Sequence, residues 1–407
     1  MRRAGIVAFA FFVFAGNFKT IPPFSALPVD LTLLLALLSL AAAAYVCVTS
    51  GRIPGRALLV AAFFWLLILP GTIDASSTVY GTEKVQRLFT LSALALIAPL
   101  ILCTTRRELE WLIWSLSGVA FILVLSGVFD HKTVADYAGA PVTGLASTTI
   151  ELGRASGLVM IVAVVGLVMR RIRWWVAVPA AALAGLAMLN SGSRGPLLAA
   201  IVAIVIGLFF SGRTRRMGAV AAIALMAVVL WVGFVSAPQY ARERVVQTAT
   251  GTDTSSTSRV ALFETALRSD RVIAGIGWGG FEAITPVPGN PYPHNIVLEF
   301  FIEDGLIPMI ALLIWIGVVW WRARHAAVDF AGLIASALLT YMVLNASVSG
   351  DVNDNRLFWV AMAMAIVSIS LPVIGRQPDR SDEPDAVEGS PGSAVQAQTP
   401  VVVQLLP

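Results

Sequence analysis

A series of long apolar runs, separated by short polar turns, constrains this chain more than any other feature. The runs lie near residues 4–17, 28–49, 57–73, 88–103, 110–129, 155–169, 174–189, 196–211, 217–236, 295–321, 329–348 and 357–375. One helical crossing of a bilayer needs about 20 apolar residues. Of the 407 residues, 57% are hydrophobic and only 13% are charged, too few to cover a soluble protein of this length. The sequence excludes an ordinary cytosolic enzyme and a disordered chain, and it predicts an all-α polytopic membrane protein with about 12 transmembrane helices.

The positions of the arginines predict the orientation of these spans. If the N-terminus is cytoplasmic, every second connection is short and basic, and these connections carry 16 of the 28 cations. They contain Arg2 and Arg3; Arg52 and Arg56; Arg106 and Arg107; Arg170, Arg171 and Arg173; Arg213, Arg215 and Arg216; Arg322 and Arg324; and Arg376 and Arg380. The alternation holds over all twelve runs. We therefore expect both termini in the cytoplasm, with the first run retained as a span because no convincing signal-peptide cleavage site follows it.

The same orientation places two long connections outside, near residues 130–153 and 237–293. Loops of this length are usually functional or disordered. In the second loop, Val260, Phe263 and Leu267 recur at helical spacing, which predicts a partly helical loop. The chain after residue 375 is rich in Pro, Ser, Gly and acidic residues, so we expect residues 376–407 to be a disordered cytoplasmic tail.

Polar residues gather at the outer ends of the spans. An ionisable group inside a membrane costs free energy, so its presence suggests a function. Here such groups include Glu151, Arg154, Arg194 and the group from His294 to Glu303. The shared depth predicts one site at the outer membrane face. The spans near 28–49, 174–189, 217–236 and 357–375 have no ionisable residue beyond their first few positions, which is unusual for an ion-coupled transporter.

Arg194 is followed by Gly195-Pro196, a pair suited to the start of a helix. A helix N-terminus beside a planar guanidinium is a natural anion site. The simpler alternative is an interfacial arginine whose head reaches water. In the long loop, Arg259 and Arg271, together with Arg242, Arg244 and Arg268, make a basic outer surface that suits either lipid headgroups or a diphosphate-bearing substrate.

His294 opens an apolar run together with Asn295. A helix N-terminus disfavours the imidazolium form and keeps the ring able to accept a proton, although Glu299 would oppose this if it lies close. The other two histidines, His131 and His325, have the character of interfacial residues. Cys47 and Cys103 indicate neither a disulfide framework nor a metal site, and we expect no metal, no cofactor and no nucleic-acid partner.

In their order along the chain, three motifs resemble the O-antigen ligase and O-antigen polymerase family of bacterial membrane glycosyltransferases. They are Ser193-Arg194-Gly195; the run Gly275-Ile276-Gly277-Trp278-Gly279-Gly280-Phe281; and His294-Asn295-Ile296-Val297-Leu298-Glu299. The likeness is strongest between residues 190 and 310. It implies a GT-C-type helical membrane fold in the bacterial cytoplasmic (inner) membrane, with residues 1–375 as the transmembrane glycosyltransferase domain.

The resemblance implies that a glycan is transferred or polymerised from a polyprenyl-diphosphate carrier onto an acceptor hydroxyl of a glycan, lipid or protein. By motif, it gives catalytic roles to Arg194, Arg259 and His294, although Phe263 stands where the family often has Trp. The arginines would stabilise the departing diphosphate, His294 would take the proton, and the displacement would invert the anomeric carbon without a metal. As further substrate contacts we expect Arg154, Arg271, Asn295 and Glu299.

Two other functions stay open at this point. A transporter or flippase of a lipid-linked glycan commonly has twelve spans, but the absence of midplane charge and the asymmetric long loop disfavour it. A peptidoglycan-type polymerase would rely on an outer-loop carboxylate, for which Asp253 and Glu264 are the candidates.

Overall fold

The computed structural model describes residues 1–19, 21, 24–129, 142–209, 254–268 and 273–372, and for residues 194 and 254–256 it describes the backbone only. Residues 1–372 make up one compact unit. The predicted tail, the apolar run at 217–236 and residues 237–253 of the long loop lie outside the described residues. In the part that is described, the fold is all-helical and contains no β-strand.

Fifteen α-helices make up the described part of the fold, and we number them in chain order. They are α1 (Arg2–Val13), α2 (Ala15–Phe18), α3 (Leu31–Ser50), α4 (Gly55–Ile68), α5 (Val79–Arg87), α6 (Ala93–Leu102), α7 (Arg106–Phe129), α8 (Thr149–Val168), α9 (Trp174–Ser191), α10 (Arg194–Phe209), α11 (Thr254–Leu267), α12 (Ile296–Glu299), α13 (Leu306–His325), α14 (Phe330–Ala346) and α15 (Arg356–Ser370).

Six helices in the described ranges are long and apolar enough to cross a membrane: Leu31–Ser50, Val79–Leu102, Arg106–Phe129, Thr149–Val168, Trp174–Ser191 and Leu306–His325. Four shorter apolar helices accompany them: Gly55–Ile68, Gly195–Phe209, Phe330–Ala346 and Arg356–Ser370. The chain is thus a multi-pass membrane protein, as the apolar runs predict.

The centre of the bundle consists of α8, α14 and α15, which are apolar and buried on nearly all sides. Small residues let these helices approach closely. At Gly157 of α8, an added Cβ would lie only 2.1 Å from the hydroxyl oxygen of Tyr341 in α14. The peripheral helices α3, α4 and α13 instead expose leucines and isoleucines such as Leu37, Leu59 and Ile314. These exposed apolar side chains mark the surface that faces lipid.

Arginines close one end of the bundle, which we call the basic end and define by Arg2, Arg56, Arg106 and Arg171. Arg2 pairs with Glu108 at 2.5 Å, and Arg56 donates to the carbonyl oxygen of Cys103 at 2.6 Å. Arg106 donates to the carbonyl oxygen of Ser368 at 2.8 Å, near the end of α15. Cations near the last turns satisfy carbonyls that have no partner within the helix. Four of the predicted basic turns, those that contain Arg2, Arg56, Arg106 and Arg171, therefore lie together at this end. The turns at 213–216 and 376–380 lie outside the described residues.

Candidate functional site

The opposite end of the bundle, which we call the loop end and define by Lys84, Arg154, Trp278 and His294, is built around a fully buried lysine. Lys84 in α5 places Nζ 2.5 Å from Oε1 of Glu299 and 2.5 Å from Oε2 of Glu303. A buried charge is tolerated only when it is paired and hydrogen-bonded. This ion cluster therefore ties α5 to the segment that follows His294.

Two π-helical turns position the members of this ion cluster. The first, Leu88–Ser92, joins α5 to α6, and the second, Phe300–Asp304, follows α12 and contains Glu303. π-Helical turns are rare and occur frequently at functional sites. Because α5 continues through the first turn into α6, Lys84 lies within a continuous candidate span and not in a polar connection.

The glycine-rich run packs against the ion cluster and has a structural role. Gly275, Gly277 and Gly279 all have positive φ, between 75° and 82°, a region that side chains with a Cβ rarely adopt. A Cβ on Gly277 would lie 1.9 Å from the carbonyl oxygen of Asp74. Within the same run, Trp278 donates from Nε1 to the carbonyl oxygen of Ile68 at 2.9 Å, and the amide of Phe281 donates to Oε1 of Glu303 at 3.3 Å.

The loop end is further tied together by the turn that precedes α15. Glu299 accepts a hydrogen bond from the amide of Val352 at 2.9 Å, and Asn353 donates from Nδ2 to the carbonyl oxygen of Lys84 at 3.0 Å. In this turn Asp351 accepts from the amides of Asn353 and Asp354. This hydrogen-bonded turn therefore connects α15 to the ion cluster.

His294 directly precedes Asn295, the N-cap of α12, and adopts φ +57°, a left-handed conformation that is rare for a residue other than Gly, Asn or Asp. Its ring packs edge-on against Tyr292, with 4.5 Å between the ring centroids. Nε2 lies 2.9 Å from Oδ1 of Asn290. With the amide oxygen assigned to this contact, Nε2 carries the proton and Nδ1 carries the lone pair.

Nδ1 of His294 is buried, and it has no hydrogen-bond partner among the residues that the structure describes. Burial, together with the positive charges of Arg259 and Arg154, lowers the pKa of His294 to about 4, and the carboxylate of Asp351 opposes this shift. The imidazole is therefore neutral at physiological pH. A neutral ring with an unshared lone pair is able to accept a proton.

Arg259 lies on α11, the helix that the spacing of apolar residues in the long loop predicts. The helix is held by a small buried cluster that joins Leu262 and Ala266 to Phe281 and Ile302. This packing holds Arg259 close enough to His294 for its charge to act on the ring. Arg259 and His294, two of the three residues that were expected to be catalytic, therefore lie near each other.

Arg194 is the first residue of α10, with Pro196 in the first turn, as the sequence predicts. Next to it, Ser193 donates from Oγ to the carbonyl oxygen of Thr149 at 2.7 Å. A Cβ on Gly195 would lie 3.3 Å from the side chain of Val348. The start of α10 therefore lies between the start of α8 and the turn after α14. The side chain of Arg194 lies outside what the structure describes.

Arg154 on α8 is almost fully buried and held by fixed partners. Its guanidinium donates to Oε1 of Glu151 at 2.9 Å and to the carbonyl oxygens of Ser349 at 2.9 Å and Asp354 at 3.2 Å. Its Nε has no hydrogen-bond partner among the described residues. Arg154 borders a cavity of about 190 Å³, whose lining also includes Glu151, Tyr292, Asp354 and Arg356.

Three further residues were expected to contact substrate: Asn295, Glu299 and Arg271. Asn295 accepts from the amides of Val297 and Leu298 and so caps α12, and Glu299 belongs to the buried ion cluster. Both therefore support the turn that carries His294, and their binding of substrate stays a prediction. Arg271 lies outside the described residues. Of the two outer-loop carboxylates, Glu264 pairs with Arg268 on an exposed face of α11, and Asp253 is not described.

Sequence reasoning missed Lys84, Asn290, Tyr292 and Arg356. The partners of Lys84 are more than 200 positions away in the chain, so no local spacing indicates the ion cluster. One signal was available for Tyr292, because an aromatic residue two positions before a candidate base is well placed to contact it.

Residues 179–313 match a family model described as O-antigen ligase. The matched segment contains Arg194, Arg259 and His294, whereas Lys84, Arg154 and Arg356 lie outside it. No curated protein matches the chain. The matched segment is about a third of the chain, and it supports an assignment to the O-antigen ligase family.

Proposed function

We propose that the protein transfers or polymerises a glycan from a polyprenyl-diphosphate carrier onto an acceptor hydroxyl at the outer face of the bacterial cytoplasmic membrane. The match of residues 179–313 to the O-antigen ligase family model supports a membrane glycan-transfer function. The observation that carries the proposal is the environment of His294, whose buried Nδ1 has no hydrogen-bond partner among the described residues and whose lowered pKa reflects burial and the charge of Arg259.

In the proposed reaction, the acceptor oxygen attacks the anomeric carbon of the donor sugar from the side opposite the diphosphate. The new carbon–oxygen bond forms as the bond to the diphosphate oxygen breaks, and the leaving group takes the electron pair. Nδ1 of His294 takes the acceptor proton, which makes a weak hydroxyl nucleophile effective. In-line displacement of this kind inverts the configuration at the anomeric carbon.

The diphosphate gains negative charge as it departs, and fixed cations stabilise such charge best when water is excluded. Arg194, at the N-terminus of α10, and Arg259 are the proposed partners of this charge. Arg154 and Arg271 are proposed as further contacts to the substrate, without a role in stabilising the diphosphate charge. Because the arginines supply the positive charge, we expect transfer to continue in the presence of a metal chelator.

The proposed architecture has twelve spans and a GT-C-type fold, with residues 1–375 as the membrane domain and residues 376–407 as a cytoplasmic tail. Ten described apolar helices support it, and α1 and the run at 217–236 supply the remaining two. The grouping of arginines at the basic end supports a cytoplasmic position for that end and for both termini.

The proposal is tested with purified protein in detergent and a labelled glycan on polyprenyl diphosphate. Arg194→Lys should lose most of the transfer activity because a point charge replaces a bidentate fork poorly, by about 30- to 1000-fold in rate. The matched control is Arg324→Lys, on the last turn of α13 at the opposite end of the bundle.

Transfer by Arg194→Lys at the parental rate would contradict the role of Arg194. In reconstituted vesicles, movement of the lipid-linked glycan across the bilayer without transfer to any acceptor would instead support the transporter or flippase function.

A further inference from the structure

The cavity beside Arg154 is a feature that the proposed chemistry at His294 does not use. It lies where the start of α8, the turn before α15 and the segment around α2 meet, and its lining includes Asn17, Thr148, Glu151, Tyr292 and Arg356. Its volume of about 190 Å³ equals the share of about six water molecules in the liquid, which is close to the size of one sugar ring.

Both basic and acidic side chains line the cavity. They are Arg154 and Arg356, together with Glu151 and Asp354, and burial raises the pKa of Asp354 to about 7. The carboxyl groups weaken the attraction of the arginines for a phosphate or diphosphate, and an alkyl chain would leave these four polar groups without water. A neutral molecule with many hydroxyls satisfies both kinds of group, because each hydroxyl donates to a carboxylate or accepts from a guanidinium.

Arg154 lines the cavity with a guanidinium that is held in place. Its two terminal nitrogens are engaged by Glu151 and by main-chain carbonyls, which fix the plane of the group. A guanidinium that is already ordered loses little conformational entropy when it binds a hydroxyl. Gly350 permits this arrangement, since a Cβ there would lie 2.5 Å from Nη2 of Arg154.

Tyr292 connects the cavity to the proposed base. The residue lines the cavity and packs against the ring of His294, with 4.5 Å between the two ring centroids. Aromatic rings pack well against the C–H face of a sugar while polar side chains bind its edge. From these contacts we propose that the cavity is a subsite for one sugar ring of the glycan, held next to His294. The inference rests on the proposed function, because that function supplies the glycan.

A substitution at Gly16 is suited to fill the cavity. It lines the cavity, and a Cβ added to it would meet no atom within 4 Å, so a larger side chain enters the open space without a clash at its base. The test variant is Gly16→Leu in the full-length chain. Gly118→Leu is its matched control, because Gly118 is exposed in the middle of α7 and an added Cβ there also meets no atom within 4 Å.

Binding is measured first, without any turnover. Saturation-transfer NMR on the detergent-solubilised chain uses methyl glycosides of a hexose, an N-acetylhexosamine and a hexuronate as probes, with inorganic pyrophosphate as competitor. We expect signals from at least one glycoside with the parent and with Gly118→Leu, their loss with Gly16→Leu, and no displacement by pyrophosphate. Equal glycoside signals in all three proteins, absence of any glycoside signal, or displacement by pyrophosphate would overturn the subsite.

Kinetics then identify the source of the sugar. In the transfer assay, Gly16→Leu should raise the KM for either the acceptor or the lipid-linked donor by about tenfold or more, and the substrate whose KM rises is the one that fills the cavity. Unchanged KM values for both substrates would overturn the inference while leaving the proposed function intact. Absence of transfer by the parent protein, together with glycoside binding that Gly16→Leu abolishes, would reject the function and retain the subsite.

Discussion

The ammonium group of Lys84 lies 2.5 Å from Oε1 of Glu299, and both side chains are completely buried. Removing one partner of a buried ion pair leaves the other charged and unsolvated, at a cost of about 3–5 kcal/mol. Lys84→Met should therefore lower the free energy of unfolding by about that amount, measured by thermal unfolding in detergent.

Two comparisons make this prediction specific. The triple variant Lys84→Met, Glu299→Gln, Glu303→Gln removes all the charge and should recover much of the lost stability. Arg87→Met breaks the half-exposed pair with Glu83 and should cost less than about 1 kcal/mol. Equal losses for Lys84→Met and Arg87→Met would show that the buried cluster contributes little.

For the role of His294, the expected result is a loss of transfer without a loss of donor binding. His294→Ala should slow transfer by about 100- to 10,000-fold, the range for removing general acid–base help. His294→Asn should behave alike, and Asn tolerates the left-handed backbone at this position. The control is His325→Ala, at the end of α13. Parental transfer by both His294 variants would place the base elsewhere.

The pH profile should show the lowered pKa of His294. A histidine with an ordinary pKa of about 6.5 loses its basic form as pH falls through 6.5. Because the pKa of His294 is lowered to about 4, transfer should persist at pH 5.5 and fall only as pH approaches 4. Arg259→Gln removes a positive charge and should move this acid limb to higher pH, in addition to weakening transfer. An acid limb at pH 6.5 in the parent protein would contradict the burial of the ring.

The orientation of the loop end is tested by cysteine labelling. In a background lacking Cys47 and Cys103, Glu282→Cys at the loop end should react with an impermeant thiol reagent in intact cells. Arg52→Cys, in the turn between α3 and α4 at the opposite end, should react only after the cells are opened. Both positions are exposed in the structure, so a difference in labelling reports the side of the membrane. The reverse pattern would place the candidate site in the cytoplasm.

Close packing of the glycine-rich run makes Gly277 irreplaceable. Gly277→Ala places a Cβ 1.9 Å from the carbonyl oxygen of Asp74 and should prevent assembly of the loop end, with loss of folded protein by size-exclusion chromatography. Gly289→Ala is a matched control, because Gly289 has φ +81° but an added Cβ meets no atom within 4 Å. Its cost should be limited to backbone strain, about 1–2 kcal/mol.

The sequence was sufficient to predict the apolar helices that the structure describes. Apolar runs long enough to cross a bilayer predict such helices directly. The spacing of Val260, Phe263 and Leu267 also predicts the helix in the long loop. These features depend on residues that are only a few positions apart, so the periodic pattern of apolar residues in the sequence reveals them.

The partners of each polar residue could not be predicted in this way. The apolar run that begins near residue 88 leaves Lys84 outside the predicted span, whereas a π-helical turn makes α5 and α6 one continuous helix that contains it. Glu299 was expected to contact substrate, and it pairs with Lys84 because the two helices meet in the folded bundle. Such pairings depend on tertiary packing, which no local pattern encodes.

The left-handed backbone at His294 has a consequence for engineering this protein. An L-residue with a Cβ in this conformation costs roughly 1–2 kcal/mol, and glycine avoids that cost. A library screened only for heat resistance should therefore enrich Gly at position 294 and discard the imidazole. In such a screen the most heat-stable variants would be the least active. Selection therefore has to act on glycan transfer and on thermal stability at the same time.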